Sequence, residues 1–176
     1  MVLVRLDEGA DAVSAAGFEI CSDGDDRWAT HFAVELDGAW RHRRTTVEVI
    51  DAEGDRRLEL QSDGAGSWLR NGRPDPFLEG CTVIDLAGNP FTNTLVTRAF
   101  APNAGNAIEV QAAYIETPVL SVRPFAQRYR RLGDDRWEYS DDEYGRVEFR
   151  TDADGIVVSY DGLAERLAPP PSTPSS

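Results

Sequence analysis

Apolar and polar residues alternate with a period of two along most of the chain, and this limits the possible folds more than any other feature. Trp28, Thr30, Phe32, Val34 and Leu36 share one parity, while Ala29, His31, Ala33 and Glu35 take the other. Thr45, Val47 and Val49 alternate with Thr46 and Glu48, Leu58 and Leu60 with Arg57, Glu59 and Gln61, and Ile108 and Val110 with Glu109 and Gln111. Trp137 and Tyr139, then Val147 and Phe149, then Ile156, Val158 and Tyr160 continue the pattern. Successive side chains of a strand point to opposite faces, so each run is a strand with one dry and one wet face, as in an antiparallel sheet. Asp37-Gly38, Glu53-Gly54, Asp63-Gly64, Asn71-Gly72 and Asp154-Gly155 punctuate the runs as turns. The expected fold is all-β: about ten mainly antiparallel strands in a single strongly curved sheet or half-barrel, with one or two short helices.

Helix signals occur in two places. Asn89 can cap a short helical turn with Pro90 at its first position, ahead of a strand carrying Arg98. Gly162 to Leu167 suits a C-terminal turn. Residues 1–168 read as one domain, large enough to bury a core, and the Pro- and Ser-rich residues 169–176 read as a disordered tail.

Eighteen basic residues face 31 acidic ones, a net charge of −13. That field repels phosphate backbones and anionic bilayers, so no nucleic-acid partner is expected. No apolar run approaches the roughly 20 residues that cross a bilayer, so stable membrane insertion is not expected either. The first apolar patch, Val2, Leu3, Val4 and Leu6, is broken by Arg5 and is too short for a secretory signal; the expected compartment is the cytoplasm. Cys21 and Cys81 fit no metal or redox spacing and read as reduced, structural thiols.

Candidates for acid–base chemistry are few. His31 and His42 both fall out of phase with the apolar positions of their strands and are expected to face solvent. No Gly-x-Ser-x-Gly elbow occurs. Asp152-Ala153-Asp154-Gly155 starts like a calcium loop, but Val157 and Leu163 stand where such a loop needs glycine and glutamate. A hydrolase built on Asp85 or Asp142 lacks an arguable base–nucleophile pair. The chain is therefore read as no enzyme, with no catalytic residue, metal or cofactor assigned.

Three inward-phased polar residues suggest binding instead. Arg41 and Arg43 share the parity of Thr45, Val47 and Val49; either a bulge or strand end breaks the phase there, or Arg43 stands at the rim of a cavity and offers donors to a polar head or buried acid. Gln127 falls between Phe125 and Tyr129 on one face of a strand expected over Val119–Arg131. It is either a core amide bonded to backbone or a ligand contact.

The segment Asn89-Pro90-Phe91-Thr92-Asn93-Thr94-Leu95-Val96-Thr97-Arg98 crowds hydroxyl and amide groups that can fix irregular backbone. Together with Gly80-Cys81-Thr82-Val83-Ile84-Asp85-Leu86, it resembles the signature of the bacterial glycolipid-binding family, Gly-Cys-x-Asp-Val-Asp-Leu followed by Thr-Pro-x-Thr-Asn-Thr-Leu-Pro-Ile-Arg-Arg. Trp40 with Arg43, Gly66-Ser67-Trp68, Pro118 with Leu120, Gln127 with Tyr129, and Asp154 to Tyr160 extend the likeness in order. Val83, Asn89, Val96 and Ala99 depart from it. The resemblance implies a curved antiparallel sheet around an apolar hollow, as in the periplasmic lipoprotein carriers. It also implies non-enzymatic binding of an amphiphilic ligand, a glycolipid or fatty acyl compound. The alternative is a structural or protein-interaction module whose hollow is filled by its own side chains. Arg43, Asn93, Arg98, Gln127 and Tyr129 are the candidate ligand-binding residues, and Val47, Val49, Leu58, Leu60, Ile108, Val110, Phe125 and Tyr129 the expected lining. Arg98 is expected to pair with a buried acid such as Asp85, the alternative being a headgroup contact. Open sheet edges could also pair two subunits into a homodimer.

Overall fold

The computed structural model describes residues 1–167, so the tail expected at 169–176 lies outside the described residues. Two seven-stranded sheets follow each other in sequence. The first is an antiparallel meander of β1 (Val2–Glu8), β2 (Ala12–Asp23), β3 (Asp26–Asp37), β4 (His42–Asp51), β5 (Gly54–Ser62), β6 (Trp68–Arg70) and β7 (Arg73–Pro74). The second comprises β8 (Val83–Leu86), β9 (Ala107–Glu116), β10 (Ser121–Arg131), β11 (Arg136–Asp141), β12 (Gly145–Thr151), β13 (Val157–Tyr160) and β14 (Ala164–Glu165).

The all-β expectation holds, with one sheet curled as a half-barrel, but there are fourteen strands rather than about ten, in two sheets rather than one. β6, β7, β8 and β14 are only two to four residues long, too short to display an alternation. The first sheet ends where Pro74 and Pro76 remove ladder donors and a single 3₁₀ turn, Pro76–Leu78, redirects the chain.

β8 and β9 run parallel, which requires a crossover, and α1 (Thr92–Phe100) supplies it. The sequence suggested a strand at Arg98; a helix stands there instead. Threonine and valine favour helix poorly, so tertiary packing decides. Thr92 to Val96 are buried without a gap, Leu95 joining one apolar cluster and Val96 the other. Wedged between the two cores, α1 buries its threonines and Asn93 along with Leu95 and Val96, and it also packs on β8. Asn89 does serve the turn before it, its Oδ1 accepting from the Phe91 N–H at 3.0 Å. The C-terminal helical turn is likewise replaced, since Ala164–Glu165 pairs with β13.

The two clusters define two layers. One unites Phe32, Val34, Val47, Leu58 and Leu60 of the first sheet with Ile84, Leu86, Ala113, Ile115 and Val122 of the second. The other belongs to the second sheet, which folds over Val83, Val110, Tyr129, Trp137, Tyr139 and Phe149. β8 and β9 are therefore covered on both faces, as parallel strands usually are, and Ala112 to Ile115 are all buried.

His42 corrects the expectation of a solvent-facing ring. The β3–β4 register pairs Glu35 with Arg44 but Leu36 with His42, leaving Arg43 as an extra residue. That bulge turns His42 inward. It is buried and stacked on Trp68 at 4.7 Å, with Nε2 2.9 Å from Thr45 Oγ1 and Nδ1 3.1 Å from Ser62 Oγ.

Candidate functional site

Three of the five candidate residues meet on the inner face of the second sheet. Gln127 and Tyr129 alternate inward from β10, and Asn93 comes from the first turn of α1. The Tyr129 hydroxyl donates to Asn93 Oδ1 at 2.9 Å, with Gln127 Oε1 at 3.1 Å. Gln127 Nε2 donates to Asp85 Oδ2 at 2.5 Å, and Thr92 Oγ1 donates to Asp85 Oδ1 at 2.6 Å. Asn93 Nδ2 donates to Pro90 O at 3.3 Å, tying the network to the crossover.

Among the described residues, no cation joins Asp85. Burial pushes its carboxyl up to about 6, the Thr92 and Gln127 bonds pull it back, and the Asp141 charge pushes it up again. Asp141 holds the β11–β12 turn through Oδ1, which accepts from Glu143 N and Tyr144 N, while its buried Oδ2 has no partner among the described residues. Tyr139 and Tyr160 surround this acidic pair; burial first, then the carboxylates, hold both phenols above their ordinary range.

An aromatic rim completes the face. Tyr114, opposite Asp85 in the β8–β9 ladder, lies 5.0 Å from Phe125, and its hydroxyl is 3.2 Å from that of exposed Tyr144. The Arg123 guanidinium stacks 4.5 Å over Phe125 and pairs with Glu143 at 2.6 Å. All five tyrosines of the chain belong to this half of the molecule. Carboxylates, amides and aromatic rings on one face can bind hydroxyls and stack on C–H surfaces together.

Arg98 does not join this network, which corrects the expected pairing with Asp85. It sits in the last turn of α1, where six residues of helical rise separate it by about 9 Å along the axis from Thr92, which holds Asp85. Its Nη2 lies 2.8 Å from Glu8 Oε2, its Nη1 donates to Asp154 O, and its guanidinium stacks 4.5 Å over Trp40. Trp40 itself adopts a φ of 63°, a left-handed conformation that a bulky residue rarely takes. Arg98 thus ties α1 to the first sheet and to the β12–β13 turn. Arg43, the bulge residue, is equally remote from the network: its Nη2 lies 2.8 Å from Asp37 Oδ2, and its Nη1 donates to Asp63 O.

Sequence reading missed Thr92, Tyr114, Tyr139 and Asp141 as members of this face. Period-two phasing marks Tyr114 and Tyr139 as inward; only the tertiary fold brings Thr92 and Asp141 to them.

Residues 2–166 match the family described as "Putative glycolipid-binding". The chain belongs to that family. Its matched span contains every candidate residue named above. A DUF1089 family protein from Pseudomonas aeruginosa, known from a crystal structure, is 29% identical, with a TM-score of 0.84 over 94% of this chain and 92% of that one. A comparison with curated proteins gives no match. Among the described residues, no helix is long and apolar enough to cross a membrane, and no group of three or more His, Cys, Asp or Glu could hold a metal ion.

Proposed function

We propose that this chain is a non-catalytic binder of an amphiphilic molecule with a hydroxyl-bearing head, received on the inner face of the second sheet. The observation that carries this reading is the convergence of Asp85, Gln127 and Asn93 with Tyr129, beside the Tyr114–Phe125–Tyr144 rim. Asp85 has no counter-cation among the described residues, so its carboxylate can accept a ligand hydroxyl in place of Thr92. The family's name makes a glycolipid the natural candidate, the sugar at this face and the hydrocarbon along apolar side chains.

Non-catalysis is supported by the histidines. Burial holds His42 down at about 3, its ring is sealed against Trp68, and Ser62 donates its own hydroxyl to the His42 carbonyl. Exposed His31 packs edge-on against Phe18, at 4.7 Å.

One observation favours a second reading, a self-filled interaction module. Val47, Val49, Leu58, Leu60, Val110, Phe125 and Tyr129, expected to line a hollow, are buried against the protein's own side chains. Native mass spectrometry of the purified protein separates the two readings. A retained lipid mass that is lost on organic extraction supports the binder; a bare polypeptide mass that stays bare after incubation with alkyl glycosides supports the module.

A further inference from the structure

A groove of about 470 Å³ opens at the seam between the sheets, lined by Arg70, Arg73, Pro74, Asp75, Phe77 and Val122. Asn71 and Gly72, at φ values of 50° and 76°, close β6 and β7 as a tight hairpin that sets Arg70 opposite Arg73. Arg70 is already engaged: its Nε lies 2.6 Å from Asp75 Oδ2, and Nη2 donates to Val122 O at 3.3 Å. The pairing neutralises the one acid of the lining. Arg73 is left exposed, and its side chain makes no ion pair or hydrogen bond among the described residues.

Beside it the 3₁₀ turn displays Phe77, 63% exposed, while Leu78 is fully buried and anchors the turn. Asp75 Oδ1 accepts from the Phe77 N–H at 3.2 Å, and Pro74 and Pro76 stiffen the segment leading into it. An exposed aromatic ring beside a guanidinium with no partner among the described residues forms a mixed apolar and cationic surface, which something anionic and partly apolar would complement.

We infer that this groove binds an anionic amphiphile, a linear hydrocarbon ending in a carboxylate or a phosphate monoester. The oxyanion sits against the Arg73 guanidinium, whose planar fork suits bidentate contact with either group, and the chain runs over Phe77, Pro74 and Val122. This site is independent of Asp85 and its network, so it stands or falls apart from the function proposed above.

Isothermal titration of the full chain with decanoate, decyl phosphate, inorganic phosphate and decyl maltoside tests it, each below its micelle concentration. The expected result is saturable binding of at least one decyl anion, weakened tenfold or more in Arg73→Gln and severalfold in Phe77→Ala. Inorganic phosphate should bind far more weakly than decyl phosphate. Asp85→Asn should leave binding of the anions unchanged. Preference for decanoate or for decyl phosphate identifies the head. Both altered side chains are exposed, and thermal melts confirm folding. Binding by neither decyl anion, or equal binding by the parent and Arg73→Gln, overturns the inference.

Discussion

Gln127 Nε2 lies 2.5 Å from Asp85 Oδ2, a hydrogen bond that joins β10 to β8 diagonally across the intervening strand β9. The inward residues of β9 here are Val110, Ala112 and Tyr114, and Ala112 sits in register with Val83 on one side and Phe125 on the other. Its methyl group leaves the room this bridge needs. Ala112→Leu should overpack the crossing, part Gln127 from Asp85 and cost about 1–3 kcal/mol, read by urea denaturation.

Tyr129 is the hub of the network and its most deeply buried member. Tyr129→Phe keeps the ring but leaves Asn93 Oδ1 without its donor, so a loss of about 1–3 kcal/mol is expected. Asn93→Ala should cost a similar amount. The double variant should cost less than the sum of the two, because both lose the same bond. Strict additivity in denaturant melts would place the two residues in separate roles.

Arg98 and Asp85 should behave independently. Removing Arg98 loses a stacking contact with Trp40 and a largely solvated pair with Glu8, together worth about 1–2 kcal/mol. A double-mutant cycle between Arg98→Ala and Asp85→Asn should give a coupling below about 0.5 kcal/mol. A coupling of several kcal/mol would restore the direct ion pair that the sequence suggested.

Much of the fold was legible because alternation reports directly on which side of a sheet a residue faces. Phe32, Val34, Val47, Leu58 and Leu60 are buried where their parity put them. The same rule placed Gln127 and Tyr129 inward, which is why two of the network's members could be found. Parity fails wherever one residue is inserted: the bulge at Arg43 reversed the facing of His42. It is also silent on helices, and the threonine-rich crossover read as strand because its helicity comes from packing against two cores. The bonds from Asp85 to Thr92 and Gln127 depend on how β8, α1 and β10 come together, which no local pattern encodes.

Stability should fall as pH rises through the weakly acid range. Glu19 is buried on β2 facing Asn89, and its Oε2 has no partner among the described residues. Burial pushes its carboxyl from 4.5 up to about 7, with the Asn89 amide pulling the other way. A raised folded-state value means the folded protein holds this proton longer than the unfolded chain. The penalty is absent below about pH 4.5, grows as pH rises toward 7, and reaches about 3 kcal/mol above that. Asp85, raised to about 6, adds to the trend in the same direction. Glu19→Gln should flatten the slope between pH 5 and 8 and leave the variant more stable than the parent at pH 8.

His42 works in the opposite sense. Its folded-state value is depressed from 6.5 to about 3, so the neutral ring stabilises the fold above pH 6.5, and that contribution is lost as pH falls toward 3. Ring proton shifts of His42 should stay at their neutral values at pH 5.

Whether the inner face of the second sheet recognises a hydroxyl-bearing head is tested most directly by titrating decyl maltoside into the parent and into Asp85→Asn, both shown folded by circular dichroism. The account predicts saturable binding by the parent that is weakened at least tenfold in the variant, since the amide replaces a charged acceptor aimed at the sugar, about 1.4 kcal/mol or more. Equal affinity in the two proteins, or no binding by the parent, would contradict it.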